Sequence, residues 1–295
     1  VPNDQAPFFR SGPACERYEF YRNATGGRPL ETRSEIERLW SRVSRFVDDD
    51  LPEGAMQHFA ARYWEMELAE AFLARGLRLA DKSDALGPDL HVLTPPCAVE
   101  AIVPGPGSGS DLVPSLLDGP GWVDHEKVIL RLRAAIKEKH EKYLQYVLKE
   151  VLSPDEPFVV AINGCEVEMA MLEQTVPYIV SAVLPFGGLV LTFDIEKSDV
   201  VREGYDFRSE VRNAKGAPVS TTAFGDGSHT GISGVLYSWS NEANRPKFAG
   251  GGYLFVHNPT ATNALPPGAF PFGREYFVTQ KENGYSLRWC DHPPP

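Results

Sequence analysis

The chain has 295 residues, 42% of them hydrophobic and 23% charged, the balance of a globular protein with one large domain or two small ones. Its 29 Lys and Arg face 40 Asp and Glu, a net charge of −11, which argues against coating nucleic acid through bulk positive charge but leaves room for a locally positive cleft. No apolar run approaches the ~20 residues that span a bilayer. The start Val1-Pro2-Asn3-Asp4-Gln5 lacks the basic and apolar regions of a signal peptide, so a cytoplasmic protein is expected.

Residues 1–30 are broken by Pro2, Pro7, Gly12, Pro13, Gly26, Gly27 and Pro29 and read as irregular. From Glu31 to Asp50, Ile36, Leu39, Trp40, Val43 and Val47 recur at helical spacing, with Thr32 or Ser34 as the N-cap. A second helix is predicted from about Pro52 to Arg75, stopped by Gly76. Three short strand-like pieces follow: Leu77–Ala80, Asp89–Thr94 after the Gly87-Pro88 turn, and Ala98–Val103 after Pro95-Pro96. The last two are spaced as a hairpin. Residues 104–121 are a Gly-, Pro- and Ser-rich loop.

The stripe Val128, Leu132, Ala135, Ile136, Tyr143 and Val147 predicts a long helix over Asp124–Val151, ended by Ser153-Pro154-Asp155. Phe158–Ile162 is a continuous apolar run and reads as a buried strand. Beyond it, a helix is predicted over Val167–Tyr178, a strand over Leu189–Phe193 and a polar loop over 197–228. Strands are predicted over Ile232–Trp239 and Tyr253–Val256, and over Tyr276–Gln280 with Tyr285–Trp289, the last two flanking the hairpin signal Asn283-Gly284. The expected division is an irregular and helical segment over 1–53, a core over 54–195 and a β-rich C-terminal extension packed on it over 196–295. Cys15, Cys97, Cys165 and Cys290 are far apart and form no C-x-x-C pair, so small free thiols are expected rather than a zinc site.

Three acids stand where chemistry is expected. Glu65 shares a helix face with Ala61, Leu68, Ala69 and Phe72, an unusual place for a carboxylate without a partner. Asp89 opens one hairpin strand, and Glu100 lies within the other, flanked by Val99 and Ala101. Carboxylates brought together at one sheet end repel unless a cation lies between them, and hard oxygen donors suit Mg²⁺ or Mn²⁺. On the long helix, Lys139 sits at the centre of the stripe of Leu132, Ala135, Ile136, Tyr143 and Tyr146, and Lys142 about 60° away on its flank. Residues 127–149 carry seven Lys or Arg against two acids, Glu138 and Glu141, a locally positive surface in an acidic chain.

Gly87-Pro88-Asp89, with Glu100 eleven residues on, resembles the Pro-Asp…(Asp/Glu)-x-Lys signature of the restriction-endonuclease-like, or PD-(D/E)XK, nuclease superfamily. The element order over 54–163 is similar to that superfamily's α-β-β-β-α-β core. The resemblance implies an α/β fold with a central mixed sheet flanked by helices, and an Mg²⁺- or Mn²⁺-dependent nuclease. Glu65, Asp89 and Glu100 would hold the metal, and nucleic acid would be the partner, with a homodimer allowed. Ile102 stands where the signature has its lysine. The resemblance then implies a migrated lysine, Lys139 first and Lys142 in reserve, or a relative kept as a binding or scaffold module.

Other patterns carry less. Gly225-Asp226-Gly227-Ser228-His229 lacks the strand-turn-helix setting of a nucleophile elbow and reads as a loop, a non-nuclease hydrolase being the reading it would serve. Gly105-Pro106-Gly107-Ser108-Gly109 lacks the ending of a phosphate loop and is expected as a flap beside the site. His257-Asn258-Pro259 resembles the tail of a group of bacterial proteins and is expected as a satisfied strand end. Asp48-Asp49-Asp50 reads as a solvated helix end.

Overall fold

A computed structural model of the chain describes residues 6–82, 86–116, 124–281 and 284–292. The start of the chain, residues 117–121 of the predicted loop and Asn283 of the predicted hairpin turn lie outside them. The architecture is α/β: a seven-stranded mixed sheet flanked by helices. Its strands, in chain order, are β1 (Leu90–Leu93), β2 (Pro96–Ile102), β3 (Phe158–Asn163), β8 (Gly234–Ser238), β9 (Leu254–His257), β10 (Gly273–Lys281) and β11 (Gly284–His292). They lie side by side in that same order. β2, β3 and β8 are mutually parallel, while β1 pairs antiparallel with β2. The C-terminal strands β8 to β11 therefore continue the same sheet across the expected boundary near 195.

The apolar run of β3 shows why this sheet is covered on both faces. All six of its residues are buried. Successive side chains point to opposite faces, and here Val159 and Ala161 join one core while Phe158, Val160 and Ile162 join the other. The first core is closed by α1 (Glu16–Arg22), α2 (Gly27–Val43), α3 (Leu51–Ala55) and α4 (Phe59–Ala74). The second is closed by α5 (His125–Leu148) and α6 (Tyr178–Val183).

Helix α4 is buried nearly all round, so its acids require partners. Glu65 pairs with Arg62, Glu67 with Arg245 and Glu70 with Arg42. The single helix predicted over 52–75 is two helices, α3 and α4, separated at Met56–His58. Gly54, too weak a helix former to carry α3 onward, lies in that last turn. The helix predicted over 167–178 is replaced by two 3-10 turns, Gly164–Glu166 and Glu168–Met171, before the short α6. The strand predicted over 77–80 is reduced to one bridge, Leu79 to Val92. The hairpin, the long helix and β3 lie where predicted, with the Asp124 carboxylate accepting from Lys127 N–H as the N-cap of α5. Among the described residues no helix is long and apolar enough to cross a membrane, and all four cysteines are free thiols.

The predicted polar loop over 197–228 instead contains strands. β4 (Phe186–Asp194) and β5 (Asp199–Phe207) form a two-stranded ribbon, and β6 (Glu210–Arg212) pairs with β7 (Pro218–Ser220). Leu191, Phe193, Ile195, Val201 and Phe207 are exposed on the ribbon. With water on both faces, the ribbon imposes no alternation that a hydrophobic pattern would record.

Gly273 fixes the join between β9 and β10. Its φ is +68°, and a Cβ there would lie 1.8 Å from the Tyr253 carbonyl oxygen, the acceptor of Arg274 N–H. A Gly273→Ala change combines left-handed backbone strain with a clash against main chain. We expect it to cost about 2–3 kcal/mol, read as a lower urea midpoint at unchanged m-value.

Candidate active site

The antiparallel register pairs Leu90 with Val99, so one step further places Asp89 opposite Glu100. Cross-strand partners share a face, and the two acids meet at the end of the hairpin. α4 brings Arg62 and Glu65 to the same place from one side of the sheet, and α5 brings Lys139, Lys142 and Tyr146 from the other. All seven residues line one cavity of about 490 Å³, together with Asp48 and His58.

Glu100 is the anchor. It is fully buried in β2, between β1 and β3, not on a sheet edge facing water. Lys139 Nζ donates to its Oε1 at 2.8 Å, Lys142 Nζ donates to the same oxygen, and the Tyr146 hydroxyl donates to Oε2 at 3.1 Å. Lys139 is buried, whereas the Lys142 side chain keeps 42% of its exposure and faces the cavity. Burial lowers the Lys142 ammonium's pKa, but the Glu100 charge and hydrogen bond outweigh it and hold the pKa above its usual value. Burial, then the Glu100 charge, raises the Tyr146 phenol.

Asp89 is half-buried, and its Oδ2 accepts from the Ala101 N–H at 2.6 Å. Burial, then the Glu100 charge, pushes it up to about 6 against the opposing pull of Lys139. Glu65 is buried, with Arg62 Nη1 donating to both its oxygens at 2.8 and 3.0 Å. Burial, then the Asp89 charge, pushes it up to about 8 despite Arg62. Both carboxyls resist ionisation, first through burial and then through a neighbouring acid, with Arg62, Lys139 and Lys142 opposing the shift.

The donor chemistry fits a hard divalent ion, with four carboxylates around one cavity. The conformation is that of a cation-shielded site. Glu65 is held by Arg62, Glu100 by the two lysines, and among the described residues no three His, Cys, Asp or Glu side chains are placed to close on one ion.

Sequence reasoning brought Glu65, Asp89, Glu100, Lys139 and Lys142 to attention, and the structure brings all five together. It missed four neighbours. Arg62 was legible from its i, i+3 spacing to Glu65. Tyr146 lies one turn beyond Lys142 but read only as apolar stripe. Asp48 is not a solvated helix end: it pairs with Lys82 at 3.1 Å and faces the cavity. His58 falls in the gap between α3 and α4, where one continuous helix was predicted.

The other patterns lie elsewhere. Among the described residues, 105–109 does not line this cavity, and Gly105 O accepts from Arg131 Nε on α5 at 2.8 Å. At the Asp226–His229 turn, Ser228 Oγ lies 2.7 Å from His229 Nδ1. Asp226, however, accepts from Ser228 N–H and the Thr222 hydroxyl, so it does not orient the imidazole as a relay requires. Burial, then His140 stacked at 4.3 Å, pushes His229 down to about 4. His257 ends β9 with Nε2 at 2.6 Å from Glu275. Compared with protein-family models, with curated proteins and with solved structures, the chain matches none.

Proposed function

We propose that the protein is a metal-dependent phosphodiesterase acting on nucleic acid, with a restriction-endonuclease-like core formed by α4, β1, β2, α5 and β3. The observation that carries this reading is the convergence, from the β1–β2 hairpin, α4 and α5, of Asp89, Glu100 and Glu65 with two lysines in one cavity. Asp89, with Glu100 and Glu65, would hold Mg²⁺ or Mn²⁺. When bound, such an ion activates water and neutralises charge on a phosphate. The protein's own groups do the rest. Lys139, fixed on Glu100, orients the attacking water. Lys142, the more exposed ammonium, meets the phosphate oxygens. Together they take the part of the lysine that Ile102 replaces. Tyr146 and the Ala101 N–H hold the two acids in register.

The experiment is cleavage of labelled DNA and RNA with Mg²⁺, with Mn²⁺ and with chelator, for the wild type and Asp89→Ala. Metal-dependent cutting that Asp89→Ala abolishes is expected, and full activity in that variant would remove the assignment. A second reading is favoured by the closed ion pairs at Glu100 and Glu65: a binding or scaffold module that keeps the fold without the chemistry. Calorimetry separates the two, because a module of that kind shows no heat of divalent-cation binding.

A further inference from the structure

The candidate site is the first of three neighbouring cavities that share lining residues. Its cavity shares His58, Ala61 and Val103 as a wall with a second cavity of about 680 Å³, which in turn shares Arg17 and Glu166 with a third of about 360 Å³. The line runs past the carboxyl ends of β2, β3 and β8, at Val103, Gly164 and Trp239. Those three strands are parallel, so their ends form one rim, the place where open α/β sheets take extended ligands.

The lining of the outer two cavities says which face of a polymer they accept. Glu16, Glu166, Glu168 and Glu242 stand there with one arginine. Arg17 is fully engaged: Nε and Nη2 donate to Glu242 at 2.7 and 2.8 Å, and Nη1 donates to Glu166. No free cation there meets a phosphate among the described lining residues, and the carboxylates repel one. A duplex, which presents phosphates on its outside, finds no footing. Ring surface is present instead. Phe20 is 57% exposed on α1, with its ring 5.1 Å from that of Tyr21, and Trp239 lines the far end beside the carboxamides of Asn241 and Asn244. Aromatic faces suit the faces of bases, and only an unpaired strand frees those faces for stacking on protein.

We infer that the three cavities form one trough that binds single-stranded nucleic acid with its bases inward on Phe20 and Trp239 and its phosphates toward solvent, feeding one phosphodiester to the lysines. This rests on the phosphodiesterase reading of the site. Phe20 is exposed and lies outside the carboxylate–lysine cavity, so Phe20→Ala leaves the fold and the site intact. Binding of a fluorescent single-stranded oligonucleotide is measured by anisotropy in chelator, and cleavage of the same strand, alone and as a duplex, in Mg²⁺. The wild type is expected to bind and cut the single strand in preference to the duplex. Phe20→Ala should weaken single-strand binding about tenfold, and Phe20→Trp should restore it. Equal cutting of duplex and single strand, or unchanged binding in Phe20→Ala, overturns the inference while Asp89-dependent cleavage still stands. Phe20-dependent binding without Asp89-dependent cleavage keeps the trough and removes the phosphodiesterase site.

Discussion

Glu100→Ala is expected to lower the free energy of unfolding by about 3–5 kcal/mol, the largest loss from any substitution around the cavity. Glu100 is wholly buried and accepts from Lys139, Lys142 and Tyr146. Removing it leaves Lys139 as a buried ammonium with its carboxylate gone, and desolvation is then uncompensated. The loss is that of an orphaned charge, not the net worth of the pair, and this gives a second arm to the test. Glu100→Leu with Lys139→Met replaces the ion pair by apolar groups of similar volume, and should recover much of the stability lost in Glu100→Ala. Urea denaturation of both variants checks it. A Glu100→Ala loss below about 1 kcal/mol, the range of an exposed ion pair, would show that Glu100 is not the anchor described. Both variants should lack cleavage, so stability and activity part company in the double variant.

How far the site was legible follows from which signals are local. The face of Glu65, the hairpin spacing of Asp89 and Glu100, and the stripe position of Lys139 are each set by a period of one helix or strand. They placed the acids and the lysine on elements that the fold brings together. The element order supplied the rest, because a hairpin followed by a helix and a parallel strand leaves the hairpin flanked by the helix before and the helix after. What stayed hidden depends on distant chain. Nothing near Phe158 announces that Gly234–Ser238 will lie beside it. His58 escaped because helix-compatible residues run through the break at 56–58, β5 because a strand with water on both faces shows no alternation, and β6 and β7 because three residues are too few for a period to register. Asp48 looked like solvated charge because its partner, Lys82, lies 34 residues on, a separation that no local pattern spans.

The pH dependence of stability separates a metal site from a structural acid cluster. Burial with Asp89 raises Glu65 to about 8, and burial with Glu100 raises Asp89 to about 6. In the unfolded chain both titrate near 4. A carboxyl whose folded pKa lies above its unfolded one takes up protons on folding. Its contribution to stability is complete below the unfolded value and is lost as pH rises through the folded one. Without divalent ions the melting temperature should therefore fall between about pH 5 and pH 8.5, from these two groups. A cation held by the same carboxylates binds their ionised forms, so its affinity runs the opposite way and rises with pH. At pH 8.5, Mg²⁺ at a hundred times its dissociation constant should restore about 2.7 kcal/mol, and at pH 5.5 little. Calorimetric melts at both pH values, with Mg²⁺ and with chelator, read the difference, and Asp89→Ala should abolish it. An Mg²⁺ shift of equal size at both pH values would place any bound ion away from Glu65 and Asp89. A falling melt with no Mg²⁺ response at either pH would leave the acid cluster as it stands and favour the binding module.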